Sequence, residues 1–326
     1  MAAYLVTGAV GFIGARVAEL LLEQGHSVTG VDNLNDAYDI RMKEHRLRKL
    51  QAIRGFEFAC ADISDREGFS RYPALSGQVF EAVFNLAARA GVRASLKDPW
   101  IFYETNVIGT LNLLEACRER GIHKFIQAST STVYGMNAPV PTPETADTDH
   151  PSQPYAASKK AAETLCHSYH SLYGMDVSVV RYFTVYGPAG RPDMSMFRFV
   201  KWITEGETIQ LFGSGDQSRG FTYIDDIVRG TIAALKQPGY EIFNLGGHEV
   251  ISMMELISMM EEIIGRKAII LRQPSAPGEL QTNQADISKA RKMLGWEPQV
   301  NLVEGVKRVV DWYNAERSWV KEVSTQ

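Results

Sequence analysis

The chain has 326 residues, 45% hydrophobic and 22% charged, a globular composition with length enough for a large core or two lobes. A net charge of −4 and a pI near 6.0 give no sign of a nucleic-acid-binding surface, and no apolar run nears the roughly 20 residues that span a bilayer. MAAYLVTG lacks the basic region and cleavage site of a signal peptide, and Cys60, Cys117 and Cys166 are too scattered for a metal or disulfide framework, so a cytoplasmic protein with small buried thiols is expected.

In chain order, YLVT (4–7), SVTGV (27–31), FEFAC (56–60), AVFNLA (82–87), KFIQAS (124–129) and VSVVRYF (177–183) read as buried parallel strands. Helices are expected between them at 12–24, 36–50, near 65–71, at 99–120 and at 153–173. The alternation predicts an α/β protein with a Rossmann-type doubly wound parallel sheet. PVPTPETADTDHPSQP (139–154) reads as a loop. Beyond 184 the texture changes. YGPAGRPDM reads as a loop, SMFRFVKWITEG as a helix, TIQLFG as a strand and GSGDQSRG as a turn. DDIVRGTIAALK and YEIFNLGG form a helix–strand unit expected to return to the main sheet, with helices at 251–265, 286–294 and 302–316. Asp225 and Asp226 are expected as helix caps, and Met253, Met254, Met259 and Met260 as packing groups. The expected division is a dinucleotide-binding domain over 1–184, with 221–245 returning to it. A smaller α/β substrate lobe takes 185–220 and 246–326.

Residues 7–14 read TGAVGFIG, with Gly8, Gly11 and Gly14 following a strand and opening a helix at Phe12 and Ile13. Glycines let the backbone approach a pyrophosphate, and a helix N-terminus supplies donors and partial positive charge. Asp32 and Asn33 close the second strand. An aspartate there accepts hydrogen bonds from a ribose 2′-OH and repels a 2′-phosphate, which favours NAD over NADP. Tyr155 and Lys159 stand one helical turn apart in YAASKK, so they share a face. An ammonium beside a phenol favours the phenolate, which can take a proton from a hydroxyl. Alone, the pair also fits a surface helix, and Thr130 alone fits a strand-end hydroxyl bonded to backbone.

The spacing G-x-x-G-x-x-G with Tyr-x-x-x-Lys resembles the extended short-chain dehydrogenase/reductase superfamily. NLAARAG (85–91), TNVIGTLNLLEA (105–116), STVYG (131–135) and RYFTVYGP (181–188) extend the likeness over nearly the whole chain. The resemblance implies Tyr155, Lys159 and Thr130 as catalytic groups. It implies Asp62 and Ile63 at an adenine, Leu86, Ala87 and Ala88 along a pyrophosphate, and Asn106 and Tyr182 near the cofactor. It also implies a homodimer through 99–120 and 153–173.

Ser131 and Thr132 stand where sugar-nucleotide dehydratases carry Asp-Glu and decarboxylases a glutamate, so the acids for dehydration are missing. RYFTVYGPAGRPDM (181–194) and AGVRASLKDP (90–99) resemble the UDP-glucuronate 4-epimerase group. That likeness implies a UDP-sugar substrate whose carboxylate meets Arg191 and Thr184, because a guanidinium forks onto a carboxylate. Arg219 and Glu279 are implied at the uridine diphosphate. Gly220 stands where relatives carry Asp, Glu279 where they carry Asp, and Ala276 where they carry a longer polar residue. The competing readings are a UDP-glucose or UDP-N-acetylhexosamine 4-epimerase and, more remotely, a non-catalytic NAD-binding regulator.

Overall fold

A computed structural model describes residues 1–67, 79–247, 249–274 and 281–325. Among the described residues, seven parallel strands form the main sheet. They are β1 (Ala3–Thr7), β2 (Ser27–Asp32), β3 (Phe56–Cys60), β4 (Ala82–Asn85), β5 (Lys124–Thr130), β6 (Asp176–Tyr182) and a later strand, β10 (Tyr240–Leu245). Their order is β10-β6-β5-β4-β1-β2-β3. Alternate side chains serve opposite faces. Val6, Phe84, Ile126 and Val180 enter one core, while Leu5, Val83, Phe125 and Val179 enter the other. Burial on both faces is why these strands read as continuous apolar runs.

The short helix expected near 65–71 lies largely outside the described residues. The one expected at 36–50 begins at Arg41, because Asp39 accepts the Arg41 N–H at 3.1 Å and the preceding residues form a loop. The run at 99–120 is not one regular helix: Glu104–Ile108 makes a π turn before Gly109–Arg120. The turn carries Asn106, which is buried. A helix at Val92–Lys97 was not anticipated.

Most corrections fall after residue 184. A second sheet contains β7 (Thr184–Tyr186), β9 (Ser218–Tyr223), β11 (Glu249–Ser252) and β13 (Thr282–Asn283), and β12 (Ile269–Gln273) pairs with β8 (Thr208–Phe212). The expected turn GSGDQSRG therefore ends inside a strand. Residues 251–252 belong to β11 rather than to the next helix, which starts at Met253 behind a Ser252–Glu255 capping box. Asp225 and Asp226 sit in a first turn rather than at the cap. Asp225 pairs with Arg16, and buried Asp226 accepts the Gln299 and Val300 N–H groups. Cys60 is exposed, while Cys117 and Cys166 are buried. None of the described helices is long and apolar enough to cross a membrane.

Gly220 has a packing reason. A Cβ there would overlap the backbone of Gly247, to which β9 lies close. Gly220→Asp should therefore destabilise by roughly 1–3 kcal/mol, as overpacking does. The check is a lower denaturation midpoint, and an unchanged midpoint would mean that the two backbones separate freely.

Candidate active site

In open parallel sheets, ligands bind outside the C-terminal strand ends where the strand order reverses. Here that point lies between β1 and β4, which flank one another while β2 and β5 lead away in opposite directions. A cleft of about 420 Å³ opens there, within the roughly 300–1,000 Å³ usual for small-molecule sites.

The glycine loop forms one wall. Gly8 has a φ of +65°, and a Cβ on it would come within 2.7 Å of the Ala87 nitrogen. A Cβ on Gly14 would overlap the Gly8 carbonyl. No side chain caps the helix Phe12–Glu23, so its first-turn N–H groups face a ligand without a side-chain competitor. A glycine cradle beneath an uncapped helix fits a dinucleotide diphosphate.

At the next strand end, Asp32 Oδ1 accepts the Leu34 N–H at 2.9 Å and the Lys43 ammonium at 3.2 Å. Both charged side chains are almost fully enclosed. The carboxylate keeps lone pairs for a ribose hydroxyl, but Lys43 offsets the charge expected to repel a 2′-phosphate. Asn33 donates to Asp62 at 2.7 Å. Burial alone would raise the Asp62 carboxyl, but donors from Ser64 and Asn33 outweigh it and hold the group below its ordinary range.

Thr130 ends β5, and its hydroxyl lies 3.1 Å from that of Thr132. The helix Pro154–Tyr173 begins with Pro154 at its start, which presents Tyr155 in the first turn. The Phe102 ring meets the Tyr155 ring edge-on at 6.0 Å. Burial raises the Tyr155 phenol, while a hydrogen bond with Thr130 and the charge of Arg191 pull it down. Arg191, on a loop far along the chain, is thus a cation that favours the phenolate. Burial lowers Lys159 to about 8, against the opposing pull of Glu163 and Cys166. Glu163 in turn forks onto buried Arg181 at 2.9 and 2.6 Å and accepts the Ser129 hydroxyl at 2.5 Å.

This chain of contacts gives a pH prediction. Removing the Glu163 charge removes support for the Lys159 ammonium, so the lysine loses its proton at lower pH. Glu163→Gln should shift the alkaline limb of the pH–rate profile downwards and cost roughly 3–5 kcal/mol of stability by leaving Arg181 unpaired. A folded variant with an unmoved limb would separate Glu163 from the function of Lys159.

Arg191 lies on the loop after β7. Arg46 staples that loop to the glycine loop, donating to the Ala189 carbonyl at 3.1 and 2.6 Å and to the Val10 carbonyl at 3.1 Å. Ala189 has a φ of +53°, a strained value for a non-glycine residue that the staple helps to hold. The Arg191 guanidinium forks onto Asp193 at 3.0 and 2.7 Å.

Gly8, Gly11, Phe12, Ile13, Gly14, Asp32, Asn33, Asp62, Ile63, Leu86, Ala87 and Ala88 all line the cleft. So do Thr130, Ser131, Thr132, Tyr155, Lys159, Tyr182, Thr184 and Arg191. Asn106 does not. Its side chain grips the Arg89 backbone at 2.9 and 3.0 Å and donates to Ser158 at 2.9 Å, so it shapes the wall from behind. Arg219 is on β9, outside the lining, and donates to the Ser218 carbonyl at 2.8 Å. Glu279 and Ala276 lie outside the described residues. Sequence reasoning passed over Tyr38, Lys43, Asp193 and Asn283, which also line the cleft. Of these, Asp193 alone had a local signal, its spacing of two from Arg191.

The family model described as "NAD dependent epimerase/dehydratase family" matches residues 4–246. A UDP-glucuronate 4-epimerase of Thermodesulfobacterium geofontis is 51% identical over 99% of both chains. The crystal structure of a UDP-glucuronic acid 4-epimerase from Bacillus cereus, in complex with UDP-glucuronic acid and NAD, superposes with a TM-score of 0.89 at 37% identity, covering 96% of this chain and 99% of that one. A UDP-glucose 4-epimerase of Thermotoga maritima, solved with UDP-glucose, also gives 0.89, at 35% identity, over 97% of this chain and 99% of that one.

Proposed function

The chain belongs to the NAD-dependent epimerase/dehydratase family, and on that footing we propose that it inverts C4 of UDP-glucuronate to give UDP-galacturonate. The observation that carries this reading is the placement of Arg191 and Thr184 in the same cleft as Tyr155 and Thr130. The 51% identity with a UDP-glucuronate 4-epimerase supports it. The main sheet with the glycine loop serves as the cofactor domain, and the second sheet as the substrate lobe.

NAD, when bound, supplies the acceptor and then the donor of the C4 hydride. Tyr155, as phenolate, takes the proton of the sugar 4-OH while Thr130 holds the oxygen. The 4-keto sugar turns about its diphosphate linkage and presents its other face. Tyr155 then returns the proton as C4 is reduced with inverted configuration. Lys159, a turn further along the helix, would bond the nicotinamide ribose. The 4-keto uronate is a β-keto acid, which loses CO2 when the breaking bond aligns with the carbonyl π system. Arg191 and Thr184 hold the carboxylate out of that alignment. Arg219, together with Glu279, serves the uridine diphosphate.

A homodimer is the expected assembly. Trp100, Ile108, Leu172 and Tyr173 are exposed on the helices that would pack together, with Trp100 at 77% and Leu172 at 71%. Paired with a second copy, these side chains would leave water. The cytoplasm, where UDP-sugars are made, suits such an enzyme.

Proton NMR of UDP-glucuronate incubated with the protein, without added NAD, tests the reading. A mixture with UDP-galacturonate is expected. UDP-glucose converted while UDP-glucuronate stays unchanged would instead support the neutral-sugar epimerase, which the Thermotoga maritima likeness keeps as the second reading.

A further inference from the structure

The group that forks onto Arg191 in this structure is a carboxylate of the chain itself. Arg191 Nε donates to Asp193 Oδ1 at 3.0 Å and Nη2 to Oδ2 at 2.7 Å. This is the paired geometry in which a guanidinium receives a ligand carboxylate. The Arg191 guanidinium also donates from Nη2 to the Ala90 carbonyl at 3.3 Å and lies 5.8 Å from the centre of the Tyr38 ring. Both members of the pair line the cleft, and both side chains keep about a quarter of their surface, 22% and 27%. Asp193 can therefore leave the fork for water without a large desolvation cost.

We propose that Asp193 is an internal competitor for the substrate carboxylate, occupying the Arg191 fork until a uronate displaces it. The inference rests on the uronate reading above. The exchange replaces one carboxylate with another, so its net free energy stays small. A neutral hexose, with a hydroxymethyl group at C5, offers no charge to drive it and leaves the Arg191–Asp193 pair closed. On departure of the product Asp193 re-enters the fork, which favours release and spares Arg191 an unpaired charge in a half-enclosed site. Pro192 stands between the two residues and fixes one backbone angle, so the pair forms at little entropic expense.

Asp193→Asn keeps the shape and removes the charge. With the cofactor-loaded protein, calorimetry should give a Kd for UDP-glucuronate about fivefold lower than wild type, as loss of a partly exposed competing ion pair implies. The Kd for UDP-glucose should change by less than about twofold, since that sugar does not use the fork. In turnover, KM should fall together with kcat, because tighter binding slows release. Damage to the fold would weaken binding and could not produce this pattern. Weaker or unchanged UDP-glucuronate binding, or equal tightening of both sugars, overturns the competitor role. If wild type converts UDP-glucuronate and the variant behaves identically, only this inference fails. If wild type neither binds nor converts UDP-glucuronate, the uronate reading fails and takes the inference with it.

Discussion

Tyr155→Phe should lower kcat on UDP-glucuronate by about 10²–10⁴-fold, the range general acid–base groups supply. The argument is one of position. Tyr155 stands in the first helical turn in the same cleft as Thr130, and the Thr130 hydroxyl and the Arg191 charge both favour its phenolate. Its neighbours Ser131 and Thr132 are hydroxyls that stay protonated near neutrality. Phenylalanine keeps the ring and its edge contact with Phe102, so the Kd for the sugar nucleotide should stay within a few-fold of wild type. Measuring kcat by NMR and Kd by calorimetry separates chemistry from binding. Turnover close to wild type would remove Tyr155 from the acid–base role.

Arg191→Ala should be the next most damaging change. Truncating one partner of a charge pair formed with a ligand costs about 2–5 kcal/mol; because Asp193 already fills the fork in the free protein, the low end applies, roughly 30-fold in kcat/KM for UDP-glucuronate. A second signature should accompany it. With the carboxylate no longer held, part of the 4-keto intermediate should lose CO2, detectable as labelled gas from substrate labelled at the carboxyl carbon. Arg191 also pulls down the Tyr155 phenol, so its loss should move the acid limb of the pH–rate profile to higher pH. Near wild-type epimerisation of the uronate, with no CO2 released, would show that the carboxylate is held elsewhere.

The residues that meet in the cleft were legible because their signals are local. Tyr155 and Lys159 are one helical turn apart, the glycine loop is contiguous, and Thr130 ends an apolar run. The family resemblance implied ligand contacts for Asn106 and Arg219; in the structure Asn106 spends its amide on the Arg89 backbone, and Arg219 stands on β9, outside the cleft lining, positions that only the tertiary structure shows. The strands after residue 184 were mostly missed. β9 is SRGFTY, polar and glycine-bearing at its start, and it is a strand because β7, β11 and β13 pair with it.

The sequence by itself determined the seven-stranded frame, which follows from hydrophobic period, and it brought out the glycine loop and the Tyr155–Lys159 spacing as candidates, each contained within a single element or turn. Only the tertiary structure decided which charges meet. It set Lys43 against Asp32, Glu163 behind Lys159, and Asp193 in the fork of Arg191 beside the phenol of Tyr155. Side-chain electrostatics depends on distances of a few ångströms between segments far apart in the chain, and those distances exist only once the strands have paired and the loops are stapled.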